Sequence, residues 1–383
     1  MEKVKLSNFI KQIRGVSYKP EDIRNESDKN AIPILRANNI TADEHIDLND
    51  IVYVDSKKVQ NEQLLRSGDI FICASSGSKN LVGKAVYIPT DMPYAFGAFC
   101  KVVRPISENL DKHYLAQFFQ SPSYRKKISD LAQGANINNI KNEHIAELDI
   151  AIYSLEEQKA IAERLDKVSG LIEKRKTQLE KLDLLIKSRF IELFDGKYKT
   201  VKLGDVVKTT SGGTPSKAHP EYYENGNIPW LTSGEVNAGV ITSVKNHITD
   251  LGMKNSSAKM VPANSVVIAM YGATAGVTGL IRLDTTTNQA VCSILPSERF
   301  VPEYLYYAVS SKKDWMISQC QGGGQPNISQ GIIKNMDVID APIEEQIRFA
   351  AFVEQVEKSK FEIQKSLEKL EILKKSLMQQ YFG

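Results

Sequence analysis

The residues best placed to do chemistry sit in short glycine-bearing turns. Ser211-Gly212-Gly213-Thr214-Pro215-Ser216, with Lys217 beside it, combines hydroxyls, bare backbone and a cation. Backbone N–H groups and hydroxyls in such a turn suit contact with phosphate oxygens, while the same residues also make an ordinary joint between a helix and a strand. Arg14-Gly15-Val16-Ser17 stands at the matching place nearer the start. Tyr271-Gly272-Ala273-Thr274-Ala275-Gly276 aligns with Ser75-Ser76-Gly77-Ser78-Lys79-Asn80, each after a strand-like run. Gln321-Gly322-Gly323-Gly324-Gln325-Pro326-Asn327-Ile328 aligns with Gln133-Gly134-Ala135-Asn136-Ile137. Asn and Gln read adenine bidentately in a major groove; Asn136 and Asn327 serve equally well as caps for the next elements.

The case for catalysis is much weaker. Gly77 to Ala85 resembles a phosphate loop ending at Lys84, but it has one residue too many between its glycines. Ala85 also stands where a Ser or Thr would bind Mg²⁺. Asp91-Met92-Pro93-Tyr94 is reminiscent of the Asp-Pro-Pro-Tyr loop of adenine methyltransferases. Met92 breaks that motif and no glycine-rich S-adenosylmethionine loop precedes it, so a surface turn is the reading. His45, His113, His144, His219 and His247 are too dispersed for a metal site or a triad. The expectation is a chain that binds no metal or cofactor itself and is not an enzyme.

Composition sets wide bounds. A length of 383 residues predicts two or three domains with their own cores. Cys73, Cys100, Cys292 and Cys320 are too few and scattered for a disulfide framework, which suits a reduced compartment. No run of about 18 apolar residues appears, so a cytoplasmic protein without a membrane span is expected. The net charge of +3, from 49 basic and 46 acidic residues, permits nucleic-acid binding without arguing for it.

The turns recur because the chain repeats one plan. Val201-Lys202-Leu203 restarts Val4-Lys5-Leu6, Ile228-Pro229-Trp230-Leu231 answers Ile32-Pro33-Ile34-Leu35, and Glu344-Glu345-Gln346 answers Glu156-Glu157-Gln158. Residues 1–153 and 197–341 read as two globular domains; 154–196 and 342–383 read as a long helix after each. Within each domain strand-like runs such as Asp69–Cys73 and Ser265–Ala269 come first, and helical ones at Asp111–Phe119, Ser123–Leu131 and Glu303–Val309 come later. That order predicts an α+β fold.

Each long helix carries a heptad stripe. Ile161, Leu165, Val168, Ile172, Leu179, Leu182 and Ile186 form the first; Phe349, Val353, Val356, Ile363, Leu367, Leu370 and Leu377 form the second. Arg175 and Arg189 fill gaps in one, Lys360 and Lys374 in the other, and the gaps are staggered. Polar seam residues fix register at a cost in stability, or they snorkel at the seam edge. Both stripes need cover, which predicts an antiparallel pair and internal pseudo-two-fold symmetry.

Taken together, Val201-Lys202-Leu203-Gly204-Asp205, Ser211–Ser216, Ile228–Leu231, Pro342-Ile343-Glu344-Glu345-Gln346 and the terminal Lys-Ser-Leu helix make the chain resemble the DNA-specificity (S) subunit of a type I restriction–modification system. The resemblance covers essentially the whole length. It implies two target recognition domains, with the paired helices as spacer, reading a bipartite asymmetric target in double-stranded DNA. It implies two methyltransferase (M) subunits that carry S-adenosylmethionine and methylate adenine N6, and restriction (R) subunits that use ATP and Mg²⁺. The candidates for DNA contact are then Arg14, Ser17, Ser75, Ser76, Ser78, Lys79, Asn80, Lys84, Asn136, Ser211, Thr214, Ser216, Lys217, Tyr271, Thr274, Gln325 and Asn327. The alternative is a coiled-coil scaffold whose two domains bind peptide or protein.

Overall fold

Short apolar runs bounded by turns become central strands, and two amphipathic runs of about ten turns become helices. A computed structural model describes residues 2–41, 43–78, 80–132, 138–320 and 326–383, which leaves Lys79, Asn136 and Gln325 outside the described residues. The chain divides into two units, one of residues 1–176 with 365–383 and the other of residues 177–364.

In the first unit one sheet has the order β1 (Ile10–Arg14), β8 (Cys100–Pro105), β5 (Ile70–Cys73), β6 (Ala85–Tyr87), all antiparallel. Ile70–Cys73 is buried at every position, as a central strand covered on both faces requires. A second sheet orders β2 (Ile23–Arg24), β4 (Val52–Asp55), β3 (Ala31–Leu35), β7 (Ala95–Phe96). Its last pairing is parallel, Ile34 opposite Ala95 and Leu35 opposite Phe96. Helix α1 (Lys112–Phe119) comes after the strands, with Asp111 as its N-cap accepting from the His113 and Tyr114 N–H groups.

The second unit repeats this plan with added strands. Its first sheet orders β9 (Thr209–Ser211), β17 (Val291–Ile294), β14 (Val266–Ala269), β15 (Thr278–Ile281), β11 (Val240–Ile241). The second orders β12 (Asn246–Ile248), β10 (Ile228–Leu231), β16 (Thr285–Thr287), β13 (Met260–Val261). Again one pairing is parallel, Trp230 opposite Thr286 and Leu231 opposite Thr287, so Trp230 takes the place of Ile34 as the repeat predicts. Helix α3 (Pro302–Ser310) corresponds to α1.

The long helices are α2 (Leu155–Phe194) and α4 (Ile343–Phe382). In the first unit the start of α2 packs on the end of α4: Ile161, Ala162 and Leu165 share a core with Met378, Tyr381 and Phe382. In the second, Ile186, Phe190 and Phe194 from the end of α2 share a core with Phe349, Val353 and Val356 from the start of α4. The pair is therefore antiparallel. The heptad reading misses Phe190, Phe194, Met378 and Phe382, which are buried while Leu377 is only half-buried. The reason is that the helix ends also dock on the domain core, with Phe382 tilted against Tyr114 at 5.2 Å and Phe194 edge-on to Tyr304 at 4.8 Å between ring centroids.

The basic gap residues divide between the two readings. Lys360 Nζ reaches across the pair to Asp183 Oδ1 at 2.7 Å. Burial pushes its pKa down, but the hydrogen bonds to Asp183 and Glu357 outweigh that and leave it raised. Arg189 instead bonds Glu192 on its own helix at 2.8 Å, as a snorkelling side chain does.

The repeated Glu-Glu-Gln motif has a structural explanation. Gln158 and Gln346 are fully buried. Gln158 Oε1 accepts from the Asp111 N–H (2.8 Å) while Nε2 donates to the Asn109 (2.9 Å) and Tyr153 (3.0 Å) carbonyls. Gln346 Oε1 accepts from the Val301 N–H (2.8 Å) while Nε2 donates to the Arg299 (3.1 Å) and Ala341 (2.8 Å) carbonyls. Each amide thus ties the first turn of a long helix to the start of α1 or α3. Gln346→Ala would leave three backbone groups without partners and is expected to lower the stability of its unit by about 3 kcal/mol. Both tryptophans, Trp230 and Trp315, lie in this unit, so urea unfolding followed by tryptophan fluorescence measures it. A loss under about 1 kcal/mol would show that the clamp is dispensable.

Candidate nucleic-acid interface

Each unit holds a cleft at the parallel strand pair of its second sheet, and the two clefts are built alike. In the second unit the backbone after β9 passes close to the end of β16: a Cβ on Gly212 would lie 1.9 Å from the Thr287 carbonyl oxygen, and one on Gly213 2.4 Å from the Ala258 nitrogen. The Gly213 N–H donates to that same Thr287 carbonyl at 2.9 Å. In the first unit a Cβ on Gly15 would lie 2.0 Å from the Gly97 oxygen, and the Val16 N–H donates to the Phe96 carbonyl at 2.7 Å. The glycines therefore serve close backbone approach. The Gly213 N–H, expected to face phosphate, is spent inside the fold.

The residues just after these glycines help to line the clefts. The first-unit cleft, about 580 Å³, is walled by Ser17, Tyr18, Arg36, Asn38, Ser75 and the 97–100 turn. The second, about 680 Å³, is walled by Thr214, Lys217, Tyr223, Trp230, Thr232, Asn246, Asn288 and Gln289. Of the residues singled out in the sequence, Ser17, Ser75, Thr214 and Lys217 come together at these clefts.

The others lie elsewhere. Arg14 is exposed at the end of β1 opposite Lys101. Lys84 Nζ is turned to the Thr41 carbonyl at 3.4 Å. The Asn80 carbonyl accepts from Arg125, which also bonds Val82. A Cβ on Gly83 would lie 2.6 Å from Ile128, so the second glycine of the phosphate-loop lookalike serves packing. Ser76 is paired with Asn138, and the Ser76 hydroxyl accepts from the Ser78 N–H at 3.1 Å. Ser211 ends β9 opposite Cys292. The Ser216 hydroxyl accepts from the Ala218 N–H, and Thr274 lies in a 3-10 turn.

Tyr271 bridges Asn327 as Ser75 pairs Asn139. The Ile328 N–H donates to the Met270 carbonyl as the Ile140 N–H donates to Ala74, both at 2.8 Å. Asn327 therefore corresponds to Asn139. The alignment of Asn327 with Asn136 needs a three-residue gap that the strand pairing does not have.

Buttresses behind each cleft hold its loops. Trp230 Nε1 donates to the Gly213 carbonyl at 3.0 Å, and the Tyr223 hydroxyl donates to the Pro215 carbonyl. Burial works to raise the Glu235 carboxyl, but N–H donors from Lys245 and Thr232 and the Thr232 hydroxyl outweigh it and hold its pKa below the usual value. In the first unit Asn39 takes this position, accepting from the Arg36 N–H at 2.8 Å and donating to the Asp47 and Asn49 carbonyls. Arg36 Nη2 bonds Asp50 Oδ2 at 2.7 Å, and Asn38 donates to the same oxygen at 2.9 Å. Burial pushes the neighbouring Cys73 thiol up to about 11, and Cys100 is raised as well.

Among the described residues no cluster of three or more His, Cys, Asp or Glu is placed to hold a metal ion, and no helix is long and apolar enough to cross a membrane. The clefts offer hydroxyls, amides, cations and aromatic faces, which are the groups that contact nucleic-acid backbones and base edges. Arg36, Asn38, Phe99, Asn288 and Gln289 escape a motif search because they sit on separate loops that only the parallel strand pair brings together.

Comparison with known proteins agrees with this architecture. The family described as Type I restriction modification DNA specificity domain matches residues 1–182 and 196–374. The StySPI type I restriction enzyme specificity subunit of Salmonella potsdam is 42% identical over 182 residues, 48% of this chain and 39% of that one. The EcoKI specificity subunit of Escherichia coli K12 is 29% identical over 92% of this chain and 81% of its own. The fold is that of the S subunit of a type I system from M. genitalium, with a TM-score of 0.56 at 15% identity covering 100% of this chain and 96% of that one. A chain from a structure of type I system assembly and conformational transition gives 0.60 at 17% identity, covering 98% and 97%.

Trp230→Phe removes the donor to Gly213 and trims the buried ring, while keeping an aromatic side chain beside Tyr223. It is expected to cost about 1 kcal/mol and to speed tryptic cleavage after the exposed Lys217; an unchanged cleavage rate would show that the indole does not hold this loop.

Proposed function

Because this chain belongs to the type I restriction modification DNA specificity family, we propose that it reads DNA for a methylating and restricting complex and performs no chemistry of its own. The recognition domains are residues 1–153 and 197–341, joined by helices at 154–196 and 342–383. The observation that carries this reading is the pair of clefts with one backbone and different side chains: one chain then reads two different DNA words. Ser17 and Ser75 contact the first word, Thr214 and Lys217 the second. Lys217, as an exposed cation at the cleft mouth, contributes to phosphate neutralisation.

Methyltransferase subunits carrying S-adenosylmethionine supply the adenine-N6 chemistry, and restriction subunits use ATP and Mg²⁺, all in the cytoplasm. Two like methyltransferase subunits need two like docking places. Leu184 and Leu185 on α2 repeat as Ile372 and Leu373 on α4, and all four are exposed apolar side chains, Leu184 at 62% and Ile372 at 69%. Exposed apolar residues that recur at equivalent places suit a repeated protein contact.

In this account the helices set the distance between words. Inserting one heptad into both α2 and α4 lengthens each by about 10 Å. Methylome sequencing of a host carrying that variant is expected to return both words unchanged with a wider gap. An unchanged gap would show that the helices are not the ruler.

A further inference from the structure

The two clefts differ most at a single turn. The 97–100 turn joins β7 to β8 and is closed by the Cys100 N–H donating to the Gly97 carbonyl at 2.8 Å; the 288–291 turn joins β16 to β17 and is closed by Val291 to Asn288 at 3.2 Å. Their backbones are equivalent, since Cys100 pairs Cys73 as Val291 pairs Ala269. Their side chains are opposite in kind. Gly97-Ala98-Phe99 presents one aromatic ring, with Phe99 67% exposed, where Asn288-Gln289-Ala290 presents two amides.

The amides have free hydrogen-bonding capacity of defined sign. Gln289 Oε1 accepts from the Thr214 hydroxyl, which leaves its Nε2 hydrogens to donate outward. Asn288 Oδ1 is covered in the free chain and has no partner among the described residues, so the side chain gains a donor by turning this acceptor out to the cleft. A donor beside an acceptor matches the major-groove edge of adenine, which offers N7 as acceptor and the N6 amino group as donor. Phe99 has no hydrogen bond to give, and its ring at the mouth of the cleft fits the 5-methyl group of thymine.

We propose that these turns are the specificity-determining elements of the two clefts: Asn288 and Gln289 read an adenine in one word by hydrogen bonding, and Phe99 reads a thymine methyl in the other by apolar contact. This rests on the DNA-reading function above. The test uses the chain assembled with its methyltransferase subunits, and duplexes in which each base pair of the target is changed singly, with uracil replacing thymine as one change. Asn288→Ala with Gln289→Ala is expected to reduce discrimination at one adenine position by roughly five- to a hundredfold and to leave the other word untouched. Phe99→Ala is expected to weaken binding as the uracil substitution does at one thymine, and the two changes together are expected to lose no more than either alone.

All the substitutions lie on a surface turn, and unchanged thermal unfolding of each variant confirms an intact fold. Gln289→Glu, which keeps the shape but removes the donor, is expected to lose the adenine preference as well. If the wild-type complex binds a bipartite target and the variants keep every preference, or weaken evenly at all positions, the assignment to these turns is wrong while the function stands. A wild-type complex without any bipartite preference would overturn the function and this inference with it.

Discussion

The fold depends on two buried glutamine side chains whose amide nitrogen and oxygen are both hydrogen-bonded to backbone. An amide held by one donor and two acceptors from the backbone, with no water to substitute, tolerates one geometry only. Gln158 and Gln346 impose that geometry at the same point in each unit, where a long helix leaves its domain. Tyr114 and Tyr304 repeat the constraint one layer further in, donating to the Ala151 and Ile339 carbonyls at 2.8 Å. Their rings then receive Phe382 and Phe194 from the far ends of the helices. Helix phase is thus set at both ends by side chains that the repeat supplies twice.

A frame held this tightly leaves the clefts free to vary. The parallel pairing of β3 with β7 and of β10 with β16 puts a turn at the same place in each unit, and glycine at 15 or 212 lets the neighbouring loop approach it. Beyond those backbone requirements the cleft side chains diverge: Arg36 against Thr232, Gly97 against Asn288, Phe99 against Ala290. Some residues that hold backbone together recur between the copies, as Gln158 and Gln346 or Tyr114 and Tyr304 do, while the cleft side chains change. That division is what one scaffold reading two different words requires.

Much of this is legible in the residues themselves. Heptad spacing marks α2 and α4, and alternating strand and turn signals mark the central strands, because those patterns are local. The doubled Ile-Pro motif falls on equivalent strands, β3 and β10. The second stripe at the helix ends is hidden, since Phe190 and Met378 face a domain core that no helical period encodes. Candidate site residues are half legible: Ser17 and Thr214 come after a glycine signature, whereas Arg36, Phe99 and Gln289 depend on a parallel pairing between distant strands. Asn139 escapes for a smaller reason, a register slip that only the Ser75–Asn139 ladder corrects.

These two clefts are the surfaces proposed to meet DNA. Hydrogen–deuterium exchange on the assembled complex, with and without a duplex carrying its methylated target, tests this most directly. Protection on binding is expected at the 97–100 and 288–291 turns and at residues 15–18 and 212–217, with the amides of α2 and α4 unchanged. Protection confined to the long helices, or to one unit alone, would contradict this.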